Sequence, residues 1–133
     1  MSAASRALLL IDPGDETRAL HADALRHVGF DVLAVDDCET ALEALTTLTP
    51  QLIIASFNPR TREECLAFCE RLKADPRTRS VPILLTSHAI NRDDLRRATD
   101  TSALVLSLAS PLDHMKLTSA VRGMLAVGEP RPA

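Results

Sequence analysis

Tryptophan and tyrosine are absent from this 133-residue chain, and Phe30, Phe57 and Phe68 are its only aromatic residues. The core must therefore be aliphatic, and the stacking platforms that single-stranded nucleic acid needs are missing. Positive charge is not in excess either. Fifteen Lys and Arg face eighteen Asp and Glu, a net charge of −3, whereas nucleic-acid binders carry a basic footprint. Nucleic acid is not an expected partner. No apolar run reaches the length of a membrane span, and the first one, Ala7–Ile11, is broken by Asp12, so no membrane insertion is expected. The residues before that run are too short for a secretory leader. Cys38, Cys65 and Cys69 are an odd number without the spacing of a disulfide framework, which favours a reducing compartment, and the cytoplasm is the expected location. Glycine is scarce as well. The Asp12-Pro13-Gly14-Asp15 turn has one glycine and two acids, which would repel a phosphate instead of cradling it.

What is present is a soluble, globular balance: 46% hydrophobic and 25% charged residues, in a chain long enough for one sizeable core. Apolar runs of strand length alternate with helix-length amphipathic segments. Ala7–Ile11, uniformly apolar, reads as a strand covered on both faces. Asp15–Val28 reads as a helix with Asp15 and Glu16 at its positive end and Gly29 as its stop. Val32–Val35 is the second strand. Asp37 caps a helix over Cys38–Leu48, whose apolar stripe is Ala41, Leu42, Ala44, Leu45 and Leu48. Leu52–Ala55 is a third strand closing at Ser56, followed by a helix at Arg62–Ala74 with Leu66, Cys69 and Leu72 or Lys73 on one face. Val81–Leu85, with Pro82 near its start, is the fourth strand. Asn91 caps a charged helix over Arg92–Thr99, Leu104–Leu106 is the fifth strand, and Asp113–Val127 is the last helix.

Five strands, each followed by a helix, call for right-handed crossovers and a parallel sheet. The expected fold is a three-layer, doubly wound α/β domain of (βα)5 type. It spans residues 1–127, and 128–133 form a frayed tail. Ligands of such sheets sit beyond the carboxyl ends of the strands. The residues to watch are therefore Asp12–Gly14, Ser56–Asn58, Thr86–His88 and Ser107–Pro111.

Leu8–Asp12, Gly29–Val32, Cys38–Leu42, Pro50–Ile54, Val81–Thr86 and Ser110-Pro111 follow one another as they do in the receiver domain of response regulators. The chain resembles that CheY-like family over about Arg6–Val127. The resemblance implies the flavodoxin-like strand order 2-1-3-4-5 and a site at which an aspartate ending the third strand is phosphorylated. An acidic pair after the first strand helps to hold magnesium, a Ser or Thr follows the fourth strand, and a Lys precedes a proline after the fifth. Carried over position by position, that site is broken. Asp12 matches the first acid, but Pro13 takes the second place and has no ligand atom. Ser56 stands where the phosphoacceptor belongs, and Thr86 matches the hydroxyl. Ser110 replaces the Lys, while Pro111 remains. Ser107 stands where an aromatic rotor is usual.

Magnesium demands near-octahedral oxygen coordination and dehydrates reluctantly, so Asp12 alone is a poor anchor. The Ser56 hydroxyl is no nucleophile without a base and would give a stable ester, not an acyl phosphate. No catalytic residue, metal or cofactor is expected. Ser110–Pro111 is the expected position of a cis peptide, as at this place in the family.

The remaining candidates read plainly. Asp36-Asp37 follows the second strand, not the first, and reads as a turn and a cap. Cys65 and Cys69 read as packing thiols with no second ligand pair for zinc. His21, His27, His88 and His114 read as surface residues. Arg92, Arg96 and Arg97, with Asp93 and Asp94 between them, form either a self-paired solvated face or a docking surface. With Val105 and the last helix they make up the face through which the resembling family meets partners or a second copy.

The sequence thus points to a stand-alone, phosphorylation-independent interaction module of bacterial-type signalling, not an enzyme. Its partners are unidentified signalling proteins, and a homodimer is a further candidate. The alternatives are a single-domain response regulator phosphorylated at a rearranged site and a small-ligand binder on the same fold.

Overall fold

A computed structural model of the chain describes residues 7–57, 60–87, 92–101, 104–107 and 113–127. Strands and helices alternate as β1 (Ala7–Ile11), α1 (Asp15–His27), β2 (Asp31–Val35), α2 (Cys38–Ala44), β3 (Leu52–Ser56), α3 (Arg62–Ala74), β4 (Ile83–Ser87), α4 (Arg92–Thr101), β5 (Leu104–Ser107) and α5 (His114–Val127). The strands form one parallel sheet in the order β2-β1-β3-β4-β5. All strand ends that follow β1, β3 and β4 therefore open at the same edge of the sheet.

The sheet is buried on both faces, and strand alternation divides the core in two. Leu9, Ile11, Ile53, Ala55, Ile83 and Leu85 point to one side, where α2 and α3 cover them with Ala41, Leu45, Leu66 and Phe68. Leu8, Leu10, Leu52, Ile54 and Leu84 point to the other, against Ala22 and Leu25 of α1 and Leu117 and Val121 of α5. Uniformly apolar β1 and β3 serve both halves, which is why their sequences show no alternation.

The helix ends follow local chemistry. Gly29 adopts φ 104, its N–H donates to the Arg26 carbonyl at 3.0 Å, and the Phe30 N–H reaches back to Leu25 at 3.2 Å. This paired closure needs the left-handed residue that glycine supplies. Asp37 caps α2 by accepting the Thr40 N–H at 2.7 Å, so the second acidic pair is a turn and a cap, as read from the sequence.

Three expectations are corrected. The regular part of α2 ends at Ala44, not Leu48. Thr46 and Thr47 turn their hydroxyls back to the carbonyls of Glu43 and Ala44, and the backbone tightens into mixed bonding there. β4 spans Ile83–Ser87, two residues later than expected. Pro82 has no N–H to give the ladder, only a carbonyl that accepts from Ile53 at 3.0 Å. His21 is buried, at 3% exposure, because it shares the inner face of α1 with Ala22 and Leu25.

Asn91, His88, Ser110 and Pro111 lie outside the described residues, as do the expected cis peptide and the tail 128–133. No helix of the described residues is long and apolar enough to cross a membrane.

Candidate functional site

The carboxyl end of β1 delivers Asp12, which is 5% exposed and continues the ladder by donating its N–H to Val35 at 3.0 Å. Its carboxylate is already engaged, since Oδ1 accepts the Gly14 N–H at 2.9 Å. Its carbonyl accepts from Arg18 at 2.9 Å, and the other terminal nitrogen of Arg18 pairs with Asp15 at 2.7 Å. Arg18 was not among the sequence candidates. Its reach from the first turns of α1 over the end of β1 depends on side-chain conformation, which spacing alone does not disclose. The turn is also tightly packed. A Cβ on Gly14 would stand 2.8 Å from Thr17 Oγ1 and 3.4 Å from Asp12 Oδ1.

β3 delivers Ser56, half-buried and paired in register with Thr86 of β4. The next N–H, that of Phe57, donates to the Thr86 carbonyl at 2.8 Å. Thr86 is therefore inside the strand, and Ser87 is the last residue of β4. Both are buried, and the Ser87 hydroxyl has no hydrogen-bond partner. The sequence placed Ser87 within the watched span Thr86–His88 but assigned it no role. Two adjacent hydroxyls end the apolar run, and only the strand register tells them apart. Ser87 is in turn paired with Ser107 of β5. Three neighbouring strand ends thus carry neutral hydroxyl residues.

Pro13 and Ser56 do come together, in the lining of a recess of about 100 Å3 that Asp36, Asp37, Glu64 and Cys38 also line. Among the described residues no three His, Cys, Asp or Glu side chains are grouped to hold a metal ion. Cys65 and Cys69 are buried in the core beside α2, as expected of packing thiols. Burial, with Glu64, Cys69 and Asp37 nearby, pushes the Cys38 thiol up to about 12. The Cys65 thiol is raised by its hydrogen bond to Cys69 and by burial. Neither is a thiolate at neutral pH, so neither is an activated nucleophile.

On α4, Arg92, Arg96 and Arg97 are all exposed. Charge pairing there runs between helices. Arg97 reaches Glu63 of α3 at 3.2 Å, and Asp94, 6% exposed, faces Arg62 of α3 at 3.5 Å. Val105 is placed in β5 opposite Leu85. A groove of about 580 Å3 between α1 and α5, with the exposed Met115 on its wall, was also invisible from sequence, because it arises between helices distant in the chain.

No sequence-family profile matches the chain, and no curated protein matches it. Solved structures do. The signal receiver domain of a histidine kinase from Syntrophus aciditrophicus superposes with a TM-score of 0.79 at 20% identity, covering 96% of this chain and 95% of that one. The phosphorylated cyanobacterial phytochrome response regulator RcpA gives 0.76 at 21% identity, with 98% and 100% covered. Chemotaxis protein CheY4 of Vibrio cholerae gives 0.79 at 16% identity, with 90% and 98% covered. The solved structures that this chain resembles are CheY-like receiver domains, and it has their flavodoxin-like α/β fold.

Proposed function

We propose that this chain is a receiver-like module of two-component signal transduction that acts by protein–protein contact, in the cytoplasm, without accepting a phosphoryl group and without catalysing a reaction. The observation that carries this reading is Ser56. A neutral hydroxyl ends β3, paired with Thr86, at the position where the resemblance places the phosphoacceptor. Its surroundings support the same conclusion. Asp12 is committed to the Gly14 amide, Pro13 offers no ligand, and a lone carboxylate holds magnesium poorly. A serine hydroxyl without a base is not a competent nucleophile.

The contact surface is the face of α4, β5 and α5, where Arg92 and Arg96 are exposed on α4. The partner is a signalling protein, or a second copy of the chain. Two measurements test the reading together. Partner recovery from extracts of the source cells should be the same with and without acetyl phosphate and Mg2+. It should fall at least about tenfold for Arg92→Glu/Arg96→Glu, a loss of roughly 1.4 kcal/mol or more. Recovery that depends on the phosphodonor would overturn phosphorylation independence. Recovery indifferent to the double charge reversal would move the contact surface elsewhere.

A further inference from the structure

The helices of this domain are not held to the sheet in the same way. α3 buries Cys65, Leu66, Phe68, Cys69 and Leu72. α4 has the sequence RDDLRRATDT, in which Leu95 and Ala98 are the only apolar residues. Ala98 joins the core, and the other buried residue among the described side chains of α4 is an acid, Asp94. A run of alternating charges links α4 to its neighbour. Asp94 lies 3.5 Å from Arg62, Arg62 lies 3.4 Å from Glu63, and Glu63 lies 3.2 Å from Arg97. Two adjacent residues on α3 thus grip positions i and i+3 on α4, and each helix contributes one acid and one base. Both acids sit in the first turn of their helices, where the helix dipole favours them. The grip is not tight. The Arg62 Nε is buried with no partner, and its contact with Asp94 is long for a charge-assisted hydrogen bond.

We propose that α4 is a releasable helix, clasped to α3 by the chain Asp94–Arg62–Glu63–Arg97, so that screening or reversing these charges frees it while the sheet stays intact. Three of the four side chains are substantially exposed, at 42%, 65% and 45% for Arg62, Glu63 and Arg97. Salt therefore reaches them. The Debye length falls from about 10 Å at 0.1 M to about 3 Å at 1 M, comparable with the spacings of the clasp. Leu66, Phe68 and the rest of its buried face keep α3 in place when α4 moves. A helix so held gives the face proposed above a second position without any covalent event. The clasp itself stands on its own geometry, whether or not the crevice takes a phosphoryl group.

Amide hydrogen exchange on the full chain tests this. Raising NaCl from about 0.1 M to about 1 M should speed exchange across residues 92–101 at least severalfold and leave β1, β3 and α1 unchanged. Glu63→Arg should produce the same acceleration at low salt, and Glu63→Arg/Arg97→Glu, which restores opposite charges, should reverse it. If Glu63→Arg fails to fold, the salt series on the unaltered chain decides alone. Exchange in α4 that ignores salt, a uniform acceleration of the whole chain, or a charge swap that does not restore protection would each overturn the clasp.

Discussion

At the scale of single residues, the chemistry of the crevice turns on a few atoms. A carboxylate at the end of β3 could bind a divalent cation and attack a phosphoryl donor, whereas the Ser56 hydroxyl does neither unaided. Asp12 has a structural task here, accepting the Gly14 amide. Gly14→Ala should therefore lower the melting temperature, since the new Cβ meets Thr17 Oγ1 at 2.8 Å, and thermal circular dichroism reads the effect. The thiols give a second check. With Cys38 pushed up to about 12 and Cys65 and Cys69 buried, the native chain should react with a disulfide reagent at pH 7 far more slowly than the unfolded chain. Equal rates would mean that the α2–α3 seam is open. Leu66→Ala, at a site 1% exposed, should cost about 2–5 kcal/mol. It is best read by urea unfolding with circular dichroism, since the chain has no tryptophan.

At the scale of elements, α2 is short and leans on its cap. Hydrogen bonds from Thr40 hold the Asp37 carboxyl below its ordinary range, and the bond from Arg97 does the same for Glu63. A lowered folded-state pKa gives stability that is fully present above the unfolded value and is lost as pH falls through the folded one. The melting temperature of the parent chain should thus exceed that of Asp37→Ala near neutrality, and the gap should close below the ordinary aspartate range. A gap that widens in acid would contradict the cap. At the open edge, strand alternation points the Val32 carbonyl away from β1, where Arg26 covers it at 2.9 Å. Arg26→Ala should leave a barer edge strand, beside the exposed Leu33, and raise concentration-dependent self-association in sedimentation.

The elements were legible in the sequence where burial is two-sided or a terminator is local, as in β1, β3, the Gly29 stop and the Asp37 cap. α3 needed only its periodicity, and its expected span is the observed one. What escaped is what depends on neighbours far along the chain. β4 is displaced because Pro82 cannot donate and its pairing with β3 runs on through Thr86. His21 is inside because α1 turns that stripe inward. The pairing of Arg62 with Asp94 and of Glu63 with Arg97 joins residues more than thirty positions apart. Composition supplied both signs of charge on α4 but not their partners.

At the scale of the whole molecule, the sheet gathers the ends of β1, β3 and β4 into one crevice. That geometry is shared with receiver domains of known structure. The side chains at those strand ends are Asp12, already bonded, and the hydroxyl residues Ser56, Thr86 and Ser87. On the proposed reading, the strand ends lack the groups that would perform phosphotransfer, and the function lies in the surfaces around them. The central claim is that this crevice takes no phosphoryl group, and intact-mass spectrometry after incubation with acetyl phosphate and Mg2+ tests it most directly. The account predicts an unchanged mass for the chain. A stoichiometric gain of one phosphoryl group, abolished by Ser56→Ala or Asp12→Asn, would contradict it.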